Sequence, residues 1–219
     1  MVSRHRGNPL ALAALTCLYE RPMHPYEVAT TLRQRNKHES VRLNYGSLYS
    51  VFTSLERRGL IVASGVSREG RLPERTSYEL TDAGRAEIHD WLAELVGTPV
   101  KEYPNFEAAL ALLVALPPEE ALTLLRDRAA RLDVTIAQAG AAREVYRDQR
   151  VPRLLWIESE FHATLLDAEL AYVRRLIGEI ESGELDGVQW WRTLHAHDGP
   201  VTPPVPDRPD EKPEQRSET

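Results

Sequence analysis

The order of the predicted elements in the first 95 residues restricts the fold of this chain more than any other feature. Apolar residues at helical spacing predict three helices at about residues 9–20, 25–35 and 45–58, and proline stands at the first helical position of the first two. Two β-prone runs, Leu60–Ala63 and Thr76–Leu80, then predict a hairpin, and Thr81 predicts the cap of a fourth helix over residues 82–95. Three helices, a two-stranded ribbon and a further helix is the order of a winged helix-turn-helix, a fold that binds DNA.

The third predicted helix carries the side chains that would face DNA. Apolar residues between Leu48 and Leu55 predict its buried side, so the hydroxyl and basic side chains among them must point outward. The outward set is Ser47, Tyr49, Ser50, Thr53, Ser54 and Arg57. Small hydroxyl residues let a helix approach base edges, whereas Tyr and Arg can reach phosphates. Gly46 and the N–H groups at the helix start, which follows Asn44 and Tyr45, could seat a phosphate. An ordinary solvated helix face is the alternative for the whole set.

Four short motifs in the same region resemble a known family. They are Met23-His24-Pro25-Tyr26-Glu27, Tyr45-Gly46-Ser47-Leu48-Tyr49, Leu55-Glu56-Arg57-Arg58-Gly59-Leu60-Ile61 and Tyr78-Glu79-Leu80-Thr81-Asp82-Ala83-Gly84-Arg85. In this order they resemble the PadR family of transcriptional regulators over about residues 10–90, in the subgroup with a long C-terminal helical domain. The resemblance implies a dimeric repressor that binds a palindromic operator and releases it when a small molecule or another signal binds. It also implies that Tyr26, Ser47, Tyr49 and Arg71 lie near DNA.

The loop of the predicted wing departs from that family. Arg68, Arg71 and Arg75 alternate with Glu69 and Glu74, whereas wings of the family are often rich in Lys and Arg. We therefore expect weak DNA contacts from the wing and specificity that rests mainly on the third helix. A helical adaptor or dimerisation module with degenerate DNA binding is the alternative function.

Charge and cysteine content agree with a DNA-binding head in a reducing compartment. Residues 1–90 hold 13 Lys and Arg against 10 Asp and Glu, and residues 91–219 hold 14 against 23, so polyanion contact is expected only for the head. The single cysteine, Cys17, cannot form an internal disulfide.

Arg4 and Arg6 before the apolar Leu10–Leu18 imitate a signal peptide, but no small-residue cleavage site follows. No apolar run approaches the roughly 20 residues of a membrane-spanning helix, so we expect a cytoplasmic protein.

The second half of the chain predicts two long helices with narrow apolar seams. Packing against the same hairpin of a second chain would bury both seams, so a homodimer is expected. The predicted interface residues are Leu122, Leu125, Leu132, Ile136, Leu166, Leu170, Val173 and Ile177. A self-contained bundle, closed by a helix over residues 105–116, is the alternative. The expected domains are a DNA-binding domain at 1–97, a helical dimerisation and effector domain at 98–187, and a disordered Pro-rich tail at 188–219.

The remaining side chains suggest one ligand pocket and no catalytic or metal site. Trp156 and Trp190, with Phe106, could line a pocket for a small planar aromatic effector, and packing anchors are the alternative. Glu158 and His162 lie one helical turn apart but have no second cluster to complete a metal site. The sequence contains no nucleophile triad order, phosphate loop or zinc spacing. We therefore expect no enzyme, no cofactor and no metal.

Overall fold

The structure is a computed structural model that describes residues 8–67 and 75–196. Contacts between Cα atoms divide the chain into two compact units, Met1–Glu102 and Tyr103–Thr219. Each unit has its own cluster of buried side chains. None of the described helices combines the length and the hydropathy that a membrane-spanning segment requires.

The N-terminal unit has the predicted order of a winged helix-turn-helix. Its elements are α1 (Pro9–Glu20), α2 (Pro25–Gln34), a 3-10 turn (Lys37–Glu39), α3 (Tyr45–Arg57), β1 (Ile61–Ser67), β2 (Arg75–Leu80) and α4 (Asp82–Gly97). β1 and β2 pair antiparallel, with Ile61 opposite Leu80. β1 continues past the predicted run, because an irregularity between Ala63 and Gly65 lets pairing resume beyond it. The predicted fold class is confirmed.

Side-chain caps explain where the helices of this unit begin. The Asn8 side chain accepts a hydrogen bond from the Leu10 N–H at 3.0 Å, and Thr81 Oγ1 accepts one from the Gly84 N–H at 3.1 Å. α2 begins with a reciprocal pair, in which the Tyr26 N–H donates to His24 Nδ1 and the His24 N–H donates to a Glu27 carboxylate oxygen. Each cap satisfies backbone donors that the helix itself leaves unpaired.

The C-terminal unit is a helical hairpin with short helices packed on it. Its elements are α5 (Asn105–Ala111), a 3-10 turn (Leu113–Ala115), α6 (Pro118–Asp148), a 3-10 turn (Arg153–Leu155), α7 (Ile157–Ser182) and α8 (Val188–Ala196). Three ion pairs join α6 to α7 and flank its apolar seam: Arg126–Glu181, Arg128–Glu169 and Arg174–Asp133. These pairs fix which turns of the two helices lie side by side.

The eight residues predicted for the dimer interface belong instead to the core of this hairpin, which corrects that prediction. Leu122, Leu125, Leu132, Leu170 and Val173 are buried within one chain, and Ile136, Leu166 and Ile177 pack half-buried on the same cluster. The two seams face each other, and α5, the Leu113–Ala115 turn and α8 help to cover them. Periodicity identified the buried side of each helix but not its partner, because a seam buries equally well against its own chain or a second one.

The tail prediction is wrong for residues 188–196, which form α8. Gly183 ends α7 in the left-handed conformation, with a φ of 79°. Val188 and Trp191, one helical turn apart, then pack into the core, and Trp191 Nε1 donates to the Leu116 carbonyl at 2.8 Å. These contacts order a segment that composition alone suggested was disordered. The rest of the predicted tail, residues 197–219, lies outside the described residues.

Candidate nucleic-acid interface

One side of α3 is buried and the other faces solvent. Leu48, Val51, Phe52 and Leu55 lie in the core of the N-terminal unit, with exposed fractions of at most 6%. Ser47, Ser50, Thr53 and Arg57 are exposed on the opposite side. The structure therefore brings these predicted contact residues together on one surface of about three helical turns, on a helix of the kind that a major groove admits.

The hydroxyl groups at the centre of this face make only local hydrogen bonds. Ser50 Oγ donates to the Gly46 carbonyl at 3.4 Å, and Thr53 Oγ1 donates to the Tyr49 carbonyl at 3.1 Å. Each hydroxyl oxygen keeps acceptor lone pairs that point to solvent. Both bonds are weak back-bonds of the kind that a side-chain rotation breaks, so either hydroxyl can turn outward to donate to a base or a phosphate.

Asn44 occupies the start of α3 and changes the expected role of the helix N-terminus. Its side-chain oxygen accepts hydrogen bonds from the Gly46 N–H at 2.9 Å and the Ser47 N–H at 3.5 Å. The prediction that these free N–H groups seat a phosphate is therefore wrong for the structure as it stands. Asn44 is a helix cap, and a phosphate would have to displace its side chain.

Aromatic side chains border one edge of the α3 face, where the start of α2 meets the start of α3. Tyr26 stacks on Tyr45 with ring centroids 6.3 Å apart, and the Arg33 guanidinium lies 4.5 Å above the Tyr45 ring. His24 contacts the Tyr49 ring edge-on at 6.2 Å. Tyr26 and Tyr49 remain about half exposed, at 51% and 50%. The stacking on Tyr45 and the edge-on contact with His24 restrict the rings of Tyr26 and Tyr49.

A groove of about 490 Å³ borders the other edge of the α3 face. It is lined by Asn8, which caps α1, by Ala11 of α1 and Trp91 of α4, and by Ser47, Ser50, Val51, Ser54, Leu55 and Arg58 from α3 and its end. Arg58 donates to the buried carboxylate of Glu87 at 2.8 Å, which ties the end of α3 to α4. Sequence reasoning missed Asn8 and Arg58 as neighbours of this face. No local signal reveals them, because only the packing of α1 and α4 against α3 brings them there.

The predicted wing contacts fall largely outside the described residues. Arg68 and Arg71 are not among them, and Arg75 begins β2. The wing contribution to any DNA contact therefore remains a prediction.

The structure separates the three aromatic residues that were predicted to line one effector pocket. Phe106 and Trp190 both pack half-buried on the core of the helical hairpin, and the Arg128 guanidinium lies 3.7 Å from the Phe106 ring centroid.

Trp156 lies at the far end of the hairpin, where it stacks on Tyr146 at 6.1 Å and its Nε1 donates to the Val151 carbonyl at 3.2 Å. The 18 residues of α6 between Arg128 and Tyr146 span roughly 27 Å at 1.5 Å per residue. Trp156 therefore shares no pocket with Phe106. Within residues 8–67 and 75–196, no three His, Cys, Asp or Glu side chains lie close enough to hold a metal ion.

Comparison with known proteins finds a family that resembles the N-terminal unit. Residues 14–90 match the model described as the transcriptional regulator PadR-like family. Three solved structures have similar folds. Bacillus subtilis PadR in complex with operator DNA is 19% identical, covers 75% of this chain and 97% of its own, and has a TM-score of 0.58. The same protein in complex with p-coumaric acid is 18% identical over 75% and 98%, with a TM-score of 0.53. The Vibrio cholerae virulence activator AphA is 15% identical over 79% and 98%, with a TM-score of 0.58.

At these identities the solved structures establish the fold of the chain and not its ligands. No curated protein matches the sequence. The family match covers α3, the hairpin and most of α4, which are the elements that build the exposed serine face. The members of the matched family are transcriptional regulators and not enzymes, in agreement with the expected class of function. Over residues 14–90, this chain is therefore similar to the PadR-like family of transcriptional regulators.

Proposed function

We propose that the protein is a cytoplasmic homodimer that binds a palindromic operator and represses transcription until a small aromatic effector releases it. The observation that carries the DNA-binding part is the exposed face of α3. Ser47, Ser50 and Thr53 are presented to solvent by a helix whose other side is locked into a core by Leu48 and Phe52. A rigid helix with small hydroxyl side chains can approach base edges closely, which reading a major groove requires.

The aromatic and basic residues around that face suit the phosphate contacts that would position it. Tyr26 and Tyr49 hold half-exposed phenols at one edge, and Arg57 is exposed on the last turn of α3. Contacts to phosphates fix the register of a protein on DNA, and contacts to bases select the sequence. In this assignment the tyrosines and Arg57 position the helix, and the serines and Thr53 read bases.

A second apolar face on α7 supports the dimer, in place of the interface first predicted. Ile157, Phe161, Leu165 and Tyr172 are 47%, 65%, 52% and 39% exposed and recur at spacings of four, four and seven residues. They form a stripe on the side of α7 away from the seam that packs on α6, about 22 Å long at 1.5 Å per residue. An exposed apolar stripe of this length is typical of a protein interface. The same stripe on a second copy would bury it in a twofold contact.

A twofold dimer accounts for the palindromic operator. Two copies of α3 related by a twofold axis would enter successive major grooves about 34 Å apart. The operator would then consist of two inverted half-sites with centres one helical turn apart. The resemblance to B. subtilis PadR, which was crystallised on operator DNA, supports this arrangement.

The proposed release by an effector rests on a protein of similar fold and on three residues of the helical unit. B. subtilis PadR was also crystallised with p-coumaric acid, a small aromatic acid. In this chain Phe106 and Trp190 are half-buried at one core, and the Arg128 guanidinium, which is paired with Glu169, lies over the Phe106 ring. A ligand there would change operator affinity only if it bound one dimer geometry better than the other.

The DNA-binding proposal is tested by a gel-shift salt series on the region upstream of the protein's own gene. Wild-type protein should bind specifically, and its affinity for the DNA should fall as the salt concentration rises, because binding releases counterions from the phosphates. The double variant S47E/S50E should lose specific binding, since two carboxylates on the α3 face would repel the DNA backbone. The matched control T123E/T135E places two carboxylates on exposed positions of α6 and should bind as wild type does.

Equal binding by S47E/S50E and its control would contradict the assignment of the α3 face. No specific binding by the wild type would favour the adaptor alternative. Titration of the bound complex with p-coumaric acid and related aromatic acids tests the effector. An operator affinity that none of these acids changes would contradict release by an effector, while leaving the DNA-binding proposal intact.

A further inference from the structure

Arg33 lies in the last turn of α2, at the edge of the α3 face where the two helices meet. Its guanidinium carbon stands 4.5 Å from the centroid of the Tyr45 ring, and Tyr45 is the first residue of α3. Arg33 is exposed to solvent. This contact places a cation beside the first turn of the helix that is proposed to read bases.

The Tyr45 ring is itself held in place on two sides. It packs against the core of the N-terminal unit, and it stacks on the Tyr26 ring with centroids 6.3 Å apart and planes at 22°. Tyr26 and Arg33 stand about two helical turns apart, so they project from the same side of α2. The tyrosine pair therefore gives the guanidinium a fixed surface on which to stack.

The charge of Arg33 is not compensated by an ion pair in the described part of the chain, unlike that of its neighbours. Arg35 donates to the Glu20 carboxylate at 2.7 Å, and Arg21 lies 3.4 Å from a carboxylate oxygen of Glu27. Stacking on Tyr45 uses the flat face of the Arg33 guanidinium and leaves the N–H donors at its edge. Those donors suit the two oxygens of a phosphate, which a guanidinium binds through parallel hydrogen bonds.

We propose that Arg33 contacts a DNA backbone phosphate beside the start of α3, and that Tyr45 is a positioning residue that holds its guanidinium there. This inference rests on the proposed function, because it requires α3 to enter the groove. The contact adds affinity without sequence preference, since phosphate contacts carry no sequence information. Tyr45 then acts through its ring and not through its hydroxyl. The alternative role of Arg33, a favourable interaction with the C-terminal dipole of α2, requires no DNA.

The first test is the salt dependence of binding by the full chain and its R33A variant to the region upstream of its own gene. Each phosphate contact contributes about 0.9 to the slope of log K against log salt, so a dimer that loses two contacts should lose about 1.8. Between 50 and 200 mM salt, the wild type should therefore lose about twelvefold more affinity than R33A. The control R35A makes the same change in net charge two residues away and should keep the wild-type slope.

The second test separates the Tyr45 ring from its hydroxyl. Y45F keeps the ring and should keep the wild-type affinity and slope, whereas Y45L removes the ring and should lower both. In the R33A background, Y45L should cost no further affinity, because the ring then has no guanidinium to position. Urea denaturation followed by circular dichroism checks that each variant is folded under the binding conditions.

The outcomes separate this inference from the proposed function. A wild-type chain without specific DNA binding overturns both. Specific, salt-dependent binding by the wild type with an unchanged slope in R33A overturns the phosphate contact alone, and so does a slope that falls as much in R35A. Binding by Y45F as weak as that of Y45L would mean that the Tyr45 hydroxyl contacts DNA directly. That result, or a loss in Y45L that adds to the loss in R33A, overturns the positioning role.

Discussion

Replacing Gly84 by alanine should destabilise the N-terminal unit through one close backbone contact. Gly84 lies in the first turn of α4, where a Cβ atom would stand 2.1 Å from the Leu60 carbonyl oxygen and 3.1 Å from the Leu60 carbonyl carbon. The same carbonyl oxygen accepts the Thr81 N–H at 3.1 Å, and Thr81 Oγ1 donates to the Gly59 carbonyl at 2.7 Å. Because Gly59 and Leu60 directly follow α3, this joint holds α4 against the end of the candidate recognition helix.

The expected loss of stability follows from the size of the clash. A contact of 2.1 Å must open by about 1 Å to reach the shortest separation that real Cβ atoms show. Forcing an extra methyl group into a packed site costs about 1–3 kcal/mol. The shift also weakens the Thr81 hydrogen bond to Leu60, worth about 1 kcal/mol. Alanine regains about 1 kcal/mol over glycine through helix propensity, so the net loss should be about 1–3 kcal/mol.

Urea denaturation followed by circular dichroism measures this loss. The matched control is G97A at the end of the same helix, where a Cβ atom would meet nothing within 4 Å. G97A should match or slightly exceed the stability of the wild type, whereas G84A should unfold at a lower urea concentration. Equal midpoints for G84A and G97A would refute the reasoning, since they would mean that α4 can move away from Leu60 at no cost.

Two further predictions concern the dimer face and the start of α2. The variant L165E should shift the protein from dimer to monomer in light scattering after size exclusion, whereas L124E, at an equally exposed leucine of α6, should stay dimeric; dissociation of both would argue against the α7 stripe. The hydrogen bond from the His24 N–H, with a further one from Arg21, lowers the pKa of the Glu27 carboxyl below its ordinary value of 4.5. The ionised carboxylate therefore stabilises the fold above that pH and loses this contribution as pH falls through the folded pKa. When the free energy of unfolding is measured against pH, it should accordingly fall less steeply below about pH 4.5 for E27Q than for the wild type. Parallel curves for the two proteins would contradict the role of this cap.

Local signals in the sequence were sufficient for the winged-helix unit. Asn8 and Thr81 cap helices as predicted, and Gly59 ends α3 with a φ of 69°. Each of these signals acts within a few residues, so it can be recognised in the sequence without knowledge of the tertiary structure. The buried side of α3 was likewise predictable, because the periodicity of Leu48 and Leu55 depends only on helix geometry.

Partners and neighbours across the chain could not be predicted in the same way. The seam residues Leu125 and Leu170 were correctly predicted as buried, but periodicity does not reveal whether the covering helix comes from the same chain. The placement of Trp156 at the opposite end of α6 from Phe106 depends on how the hairpin pairs. Composition also gave the wrong prediction for α8, because the segment next to the Pro-rich stretch is ordered by the packing of two side chains, Val188 and Trp191.

Photocrosslinking from α3 to DNA tests the central claim most directly. A photoreactive amino acid placed at Ser50, on the exposed face of α3, should crosslink to bases of the operator and give a defined site on each half of the palindrome. The same amino acid at Thr123 of α6, which is also exposed, provides the background. Crosslinks to operator bases from position 50 well above those from position 123 are the result we predict. Equal yields at the two positions would contradict a recognition helix that enters the groove through its serine face.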